Sequence, residues 1–348
     1  LGQDLNFIQD GTDTMELTDA LKHVIKSTPQ TPPFDQITEL KDYSYISVLP
    51  TNNFKITFDK AKMAAKGIYP KELVDGQKGE FTFSIPTQAM DQEGRIKYAQ
   101  LYRQELMLLD ILATNGFNRP IYVINPYLIK DVIPNIMDYV RQEGLVYRLV
   151  PYPAQRQYET QKSYNEFMHT FKWGNVNKKG VYLENAVTIN NSKAMRQNYS
   201  QLAQDLIAKG EKQKAINILD KACQEFPNSK LPFDKADLML AQAYCNAGAL
   251  NKGKAVYKSI IDYYISYINY YNQFRGKKAR SVEGDRTLSM VILAQTYSDI
   301  SNYGFSDLKA KISSIPDINS LLGTMNFQKQ FFSVFHFFKC FKYALVLL

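Results

Sequence analysis

The sequence predicts an α/β N-terminal domain followed by an all-α domain of helical repeats. Three observations carry this expectation. Ahead of residue 190, short runs of alternating apolar and polar residues are interleaved with a longer run of helical period, the pattern of mixed sheet and helix. Beyond it, small and large apolar residues recur at the offsets of paired helices. At 348 residues, with 45% hydrophobic and 22% charged side chains, the chain is long enough for two cores and too apolar for extensive disorder. The expected domains are residues 1–190 and 191–324, with a Phe-rich tail over 325–348.

Near the start, Asp10, Asp13 and Glu16 read as a solvated loop before a helix capped at Thr18, rather than as paired catalytic carboxylates. Tyr45-Ile46-Ser47-Val48-Leu49 and Phe54-Lys55-Ile56-Thr57-Phe58 flank Pro50 and Asn52-Asn53, which predicts a β-hairpin. Glu80 to Ile85 alternates and is closed by Pro86, a further strand. Within 94–114, Leu101, Leu106, Leu108, Leu109, Ile111 and Leu112 recur at helical spacing and stop at Asn115-Gly116, a helix C-cap signal. Pro120 to Ile124 is strand-like, and 127–142 is amphipathic with Leu128, Val132, Ile136 and Tyr139 on one face. Gly144 ends that stretch, and Leu145 to Val150 forms another apolar run closed by Pro151. Strand, helix and strand in this order predict a right-handed βαβ unit with a parallel strand pair.

After residue 190 the period changes. Residues 196–229 carry Tyr199, Leu202, Ala203 and Leu206, then Gly210 at a turn, then Ala215, Leu219 and Ala222, with Pro227 as a stop. This is the 34-residue helix–turn–helix spacing of a tetratricopeptide-like repeat. The phrase Leu202-Ala203-Gln204 recurs at Leu240-Ala241-Gln242 and at Leu293-Ala294-Gln295, so three units are expected, about the minimum for a stacked array. The tail crowds Phe331, Phe332, Phe335, Phe337, Phe338 and Phe341 among lysines. It is a poor membrane span, and reads equally as an interfacial helix or as a non-native end from a shifted reading frame.

Composition narrows the chemistry. The 3 cysteines are scattered, and none of the 3 histidines lies at ligand spacing from another, which excludes a disulfide scaffold and a His-rich metal centre. No nucleophile elbow, phosphate loop, dinucleotide fingerprint or HExxH motif occurs, so no catalytic residue and no metal ligand is assigned. The net charge of +8 favours an anionic partner such as a membrane surface, and by itself does not make a nucleic-acid-binding protein.

Six residues stand out as candidates for binding, each beside a structural reading. Arg119, just before Pro120 and Tyr122, can offer a guanidinium fork to a carboxylate or phosphate, or hold a helix-to-strand corner through an ion pair. Arg148 alternates onto a sheet face, where structural pairing competes with a ligand role. Trp173, the single tryptophan, suits stacking on a sugar or wedging between domains. Tyr267 and Tyr271 belong to the dense aromatic stretch 257–280, which ends in Arg275, Lys277, Lys278 and Arg280. That stretch reads as a peptide or glycan groove, as a contact for acidic lipid headgroups, or as a repeat helix packing its tyrosines between neighbours.

Taken in order, Leu108 to Ala113, Asn115, Arg119 to Tyr122, Gly144 to Pro151, Phe171 to Gly174 and the repeat from Tyr199 resemble the C-terminal soluble region of bacterial membrane glycosyltransferases related to protein O-mannosyltransferases. The resemblance covers about residues 10–320. It implies a GT-C-type parent with an N-terminal membrane region outside this sequence and a tetratricopeptide-like tail. It also implies a lipid-linked sugar donor for that parent, and a place at the periplasmic face of the bacterial inner membrane. The catalytic acid of such enzymes lies between membrane helices, so no catalytic residue and no cofactor transfers to this chain. The expected role is acceptor protein or peptide binding, or scaffolding, rather than chemistry. The alternatives are a stand-alone tetratricopeptide-like interaction module without catalytic activity, and an α/β enzyme with a site around Arg119 and Arg148.

Overall fold

A computed structural model describes residues 6–8, 11–27, 45–75, 79–90, 96–98, 100–130, 132–154 and 158–323. The Phe-rich tail expected over 325–348 lies outside the described residues. Two compact units, Leu1–Lys162 and Ser163–Leu348, divide the chain, the first bearing small sheets and the second helical. The division falls ahead of the change of period near 190, because the intervening stretch packs its aromatic side chains on the first long helix of the second unit. No helix among the described residues is long and apolar enough to cross a membrane.

The first unit runs β1 (Asn6–Ile8), β2 (Met15–Glu16), α1 (Leu17–Lys22), β3 (Ile25–Ser27), β4 (Ile46–Leu49), β5 (Asn53–Phe58), α2 (Lys60–Ala65) and β6 (Gly79–Ser84). It continues through β7 (Gln88–Met90), β8 (Ile96–Tyr98), β9 (Gln100–Leu101), α3 (Arg103–Asn115), β10 (Ile121–Val123), β11 (Val140–Glu143) and β12 (Val146–Leu149). The strands form sheets of order β3-β4-β1-β9, β2-β5-β6, β10-β12-β11 and β7-β8. Helix α1 starts at Leu17 with Glu16 at its N-cap, two residues ahead of the expected cap at Thr18.

The expected hairpin of residues 45–58 does not form. β4 pairs in parallel with β1, and β5 in parallel with β2, so the two strands lie in different sheets. The side chains between them explain the separation. Thr51 Oγ1 donates to the Asp13 carbonyl at 2.8 Å, the Gly11 N–H donates to Asn52 Oδ1 at 3.2 Å, and Asn53 Nδ2 donates to the Gly11 carbonyl at 2.5 Å. The turn residues therefore bind the 11–13 segment, and each strand takes a partner from the N-terminal stretch. The antiparallel pair β5–β6 obeys its alternation: Phe54, Ile56, Phe81 and Phe83 enter the core, while Lys55, Glu80 and Thr82 do not.

The expected βαβ unit is also absent. Two short 3₁₀ turns, Pro126–Ile129 and Ile136–Asp138, lie where the helix was expected, and β11 begins within its last turn. β10 and β12 are antiparallel, with β11 joined to β12 as a hairpin through Gly144. Pro134, inside the helical pattern, lacks the N–H an α-helix needs, and of the four period-matching residues only Val132 and Ile136 are buried. Val132, Ile133, Ile136 and Val140 enter the core, whereas Leu128 is 79% exposed. The stop at Gly116 does form, with φ +51° closing α3 by a bond from its N–H to the Leu112 carbonyl at 3.0 Å.

In the second unit α4 (Thr160–Asn165) carries the chain across the division, and α5 (Ala186–Ala208), α6 (Lys212–Glu225), α7 (Leu238–Asn246) and α8 (Leu250–Tyr271) follow. α9 (Gly276–Ser281), α10 (Glu283–Ser301) and α11 (Ser306–Ser313) complete it. Short turns fold α6 back on α5 and α8 back on α7, α7 packs against both α5 and α6, and α10 and α11 pack on α8. Gly210 (φ +81°) makes the first of these turns, as its place in the repeat pattern predicts. Leu202, Ala203, Leu206, Ala215, Ile218, Leu219 and Ala222 are buried between the helices.

α7 and α8 pack tightly at Gly253. A Cβ there would stand 2.3 Å from Cys245 Sγ and 2.9 Å from the Ala241 carbonyl. Gly253→Ala is therefore expected to destabilise the chain by about 2 kcal/mol, despite Ala's better helix propensity. Urea unfolding followed by circular dichroism checks this, and an unchanged or higher midpoint would show that the helices yield.

One buried ion pair holds the start of this array. Arg196 on α5 is fully buried and grips Asp237 through Nε at 2.6 Å and Nη2 at 2.5 Å. Its Nη1 donates to the carbonyls of Phe226 (3.1 Å) and Leu231 (2.8 Å). The guanidinium lies 4.6 Å from the Phe233 ring centre.

Candidate functional site

The sequence candidates separate into four groups. Tyr122 and Arg148 are brought together by the β10–β12 register and meet at Glu143 of β11. The Glu143 carboxylate is 3% exposed and accepts from Tyr122 Oη (2.8 Å), Arg141 Nη2 (3.1 Å), Arg148 Nη1 (3.2 Å) and Lys162 Nζ (2.7 Å). Burial alone would raise its pKa, but the hydrogen bonds from Lys162, Tyr122, Arg141 and Arg148 outweigh it and hold the carboxyl at about 2. Four donors saturate this carboxylate, so the arrangement locks a sheet face and leaves Glu143 no capacity as a general base.

Arg119 stands apart. It is exposed, and its side chain has no ion-pair partner among the described residues, so the expected structural ion pair is replaced by another device. The corner is set by Asn115, whose Oδ1 accepts from the Arg119 N–H at 3.0 Å and whose carbonyl accepts from Asn118 Nδ2 at 3.1 Å. Trp173 is half-buried within the second unit. Its Nε1–H donates to Tyr199 Oη at 2.8 Å, and its ring packs against Phe167, Phe171, Tyr199 and Phe226 at centroid distances of 5.4–6.1 Å. Trp173 thus packs in an aromatic cluster of the helical unit, which fits the wedging reading within one unit.

Tyr267 and Tyr271 belong to a surface of different character. On α8 the apolar period buries Tyr257, Ile260, Ile261, Tyr264 and Ile268 against α7 and α10. The positions left over, Tyr263, Tyr267, Tyr270 and Tyr271, share the outer face at helical spacing, and Phe274 continues it past the helix end. Tyr267 and Tyr270 are 38% and 54% exposed. Neighbouring rings in this ladder stand 4.8 Å (Tyr263–Tyr267), 5.8 Å (Tyr267–Tyr271), 5.7 Å (Tyr270–Tyr271) and 5.1 Å (Tyr270–Phe274) apart. Tyr263 Oη lies 3.2 Å from Tyr267 Oη, and burial together with that bond pushes the Tyr263 phenol well above its ordinary pKa. Tyr264, turned inward, is raised to about 12 by burial, while its Oη accepts from the Lys235 N–H at 3.0 Å.

The ladder ends at a surface cavity of about 380 Å³. Tyr271, Phe274, Ala279, Val282 and Pro316 supply its apolar lining, and Arg275 and Arg286 its cations. Arg286 is held rigid by Asn272 Oδ1 (2.8 Å), Glu283 Oε1 (3.4 Å) and Asp317 Oδ2 (3.2 Å), so its charge is balanced inside the cavity. Arg275 Nη1 donates to the carbonyls of Asn272 (2.6 Å) and Phe274 (2.9 Å), and among the described residues it has no carboxylate partner. Beyond it Lys277, Lys278 and Arg280 of α9 are exposed and likewise unpaired among the described residues. Aromatic faces, a small recess of mixed polar and apolar lining, and cations at one end suit binding of an extended chain. The cavity was not foreseeable from sequence, because Pro316 and Asp317 reach it from far along the chain.

Among the described residues no group of three or more His, Cys, Asp or Glu side chains converges as a metal site. A family model described as TMEM260-associated domain 2 matches residues 5–167. No curated protein and no solved structure matches the chain. The family match therefore takes in the whole sheet-bearing unit with Arg119, Tyr122, Glu143 and Arg148, and stops short of Trp173 and the tyrosine ladder.

Proposed function

We propose that this chain is the extracytoplasmic, C-terminal part of a membrane-bound protein O-mannosyltransferase-like glycosyltransferase, and that it binds acceptor polypeptide or scaffolds it rather than performing the transfer. The observation that carries the reading is the exposed tyrosine face of α8 running into a recess and an unpaired basic segment. Tyrosine and arginine provide large amphipathic contacts at low entropy cost, which is the usual composition of a polypeptide-binding surface. The polar cluster at Glu143 is saturated by its own neighbours, which supports a structural duty for the other strong candidate.

In this reading α5–α6, α7–α8 and α10–α11 are three tetratricopeptide-like units, the membrane region lies outside this sequence, and the chain sits at the periplasmic face of the inner membrane. A lipid-linked sugar serves the parent enzyme as donor. The net charge of +8 suits a position near an anionic membrane surface. A stand-alone interaction module would use the same surface, and differs in having no transferase region in frame.

The test is a sugar-transfer assay with a lipid-linked donor, run with this chain alone and with the complete reading frame that contains it. The chain alone is expected to transfer nothing. In the complete protein, removing residues 163–348 is expected to raise KM for acceptor polypeptide more than it lowers kcat. Transfer by the chain alone, or an unchanged KM after the deletion, overturns the proposal.

A further inference from the structure

We infer that the α8 ladder and its cavity bind an acidic polypeptide segment that carries one aromatic or aliphatic anchor residue. This rests on the acceptor-binding reading and specifies which part of an acceptor is held. Three observations point to this ligand. First, Tyr263 and Tyr271 lie eight residues apart on α8, about 12 Å of helical rise, which is matched by roughly four residues of extended chain. Second, the charges are segregated. Among the described residues, Arg286 in the cavity is neutralised by Glu283 and Asp317, Arg275 lines the cavity without a carboxylate partner, and Lys277, Lys278 and Arg280 extend beyond it equally without one. A recess with balanced charge takes an apolar side chain, and free cations beside it take carboxylates.

Third, the same segregation disfavours the other polyanions. A sulfated glycan or nucleic acid charged at every repeat would set an anion against Glu283 or Asp317 when it entered the recess. A peptide can alternate an anchor with acidic residues, and so meets both parts of the surface. The mechanism is additive: ring faces and the recess supply contact area, and the cations fix direction and speed encounter.

The probe is a fluorescein-labelled twelve-residue peptide of aspartate and glutamate with one central phenylalanine, titrated with the full chain and read by anisotropy. Saturable binding is expected, weakening as sodium chloride is raised. Replacing the phenylalanine of the probe by alanine, or introducing Lys277→Glu with Lys278→Glu, is expected to weaken binding about tenfold each. Tyr267→Ala with Tyr270→Ala is expected to do the same. The lysine pair is exposed, so circular dichroism should match wild type even if the tyrosine pair perturbs α8.

Equal binding by wild type and both variants overturns the inference, as does no binding at all. Preferential binding of a heparin decamer, or of vesicles of phosphatidylcholine and phosphatidylserine, with loss in the Lys277→Glu, Lys278→Glu variant assigns the surface to a glycan or a membrane and also overturns it. If the peptide fails while removal of 163–348 still raises KM for acceptor, the acidic segment is wrong and acceptor binding stands. If the peptide binds as expected and the transfer assay fails, the surface stands and its place in a glycosyltransferase falls.

Discussion

Arg196→Met is expected to destabilise the helical unit by roughly 3–5 kcal/mol, the usual cost of stripping one partner from a buried ion pair. The variant leaves Asp237, 2% exposed, without the guanidinium that holds both of its oxygens. Burial already raises the pKa of that carboxyl, with Arg196 opposing the rise, so removal of the cation leaves a charge that must be neutralised or exposed. The carbonyls of Phe226 and Leu231 lose their donor in the same step. A fall of roughly 10 °C in the melting of this unit is the corresponding thermal signal. The double variant Arg196→Met, Asp237→Leu should recover more than half of the loss, because both buried charges are then gone. A single variant that melts with wild type, or a double variant worse than either single one, would contradict this account.

Glu143→Gln is the second large effect, and it differs in its pH dependence. The folded carboxyl titrates at about 2 against an ordinary value of 4.5. A lowered pKa means that the ionised form contributes in full above pH 4.5, and that the contribution is lost as pH falls from 4.5 towards 2. The shift corresponds to about 3 kcal/mol at neutral pH. Urea midpoints measured at pH 7, 5, 4 and 3 should therefore show wild type losing its advantage over Glu143→Gln across the acid window. Parallel curves for the two proteins would mean that the four donors contribute no net stability. Tyr122→Phe removes one neutral donor and should cost about 1 kcal/mol, which separates the phenol from the three cations.

Both effects sit at residues whose partners are distant in sequence or in sheet register, and this marks the limit of legibility. Arg148 is visible as a charge on an alternating strand and Tyr122 as part of the run Arg119-Pro120-Ile121-Tyr122. Their meeting at Glu143 required the antiparallel β10–β12–β11 order, which the apolar period of 127–142 disguised as a helix. Arg196 carries no sequence signal of burial, because an arginine amid polar residues on a helix is normally solvated. Only the approach of the 226–237 loop to α5 buries it. Trp173 could be recognised as important, but its neighbours Phe167, Tyr199 and Phe226 were assembled only by folding.

By itself the sequence determined the change of character between the two parts of the chain, the ends of α3 and α5, and the helical period of 196–229. These follow from local causes: glycine at a left-handed position, proline as a stop, and apolar spacing that repeats within a few residues. Tertiary structure decided what period cannot express. It sent β4 and β5 to different sheets through the side chains of Thr51, Asn52 and Asn53, and turned Pro126 to Asp138 into 3₁₀ turns. It also chose which tyrosines of α8 face water. Tyr264 and Tyr267 have the same chemistry and lie three residues apart, and only the packing of neighbouring helices on α8 makes one a buried core residue and the other part of an open surface.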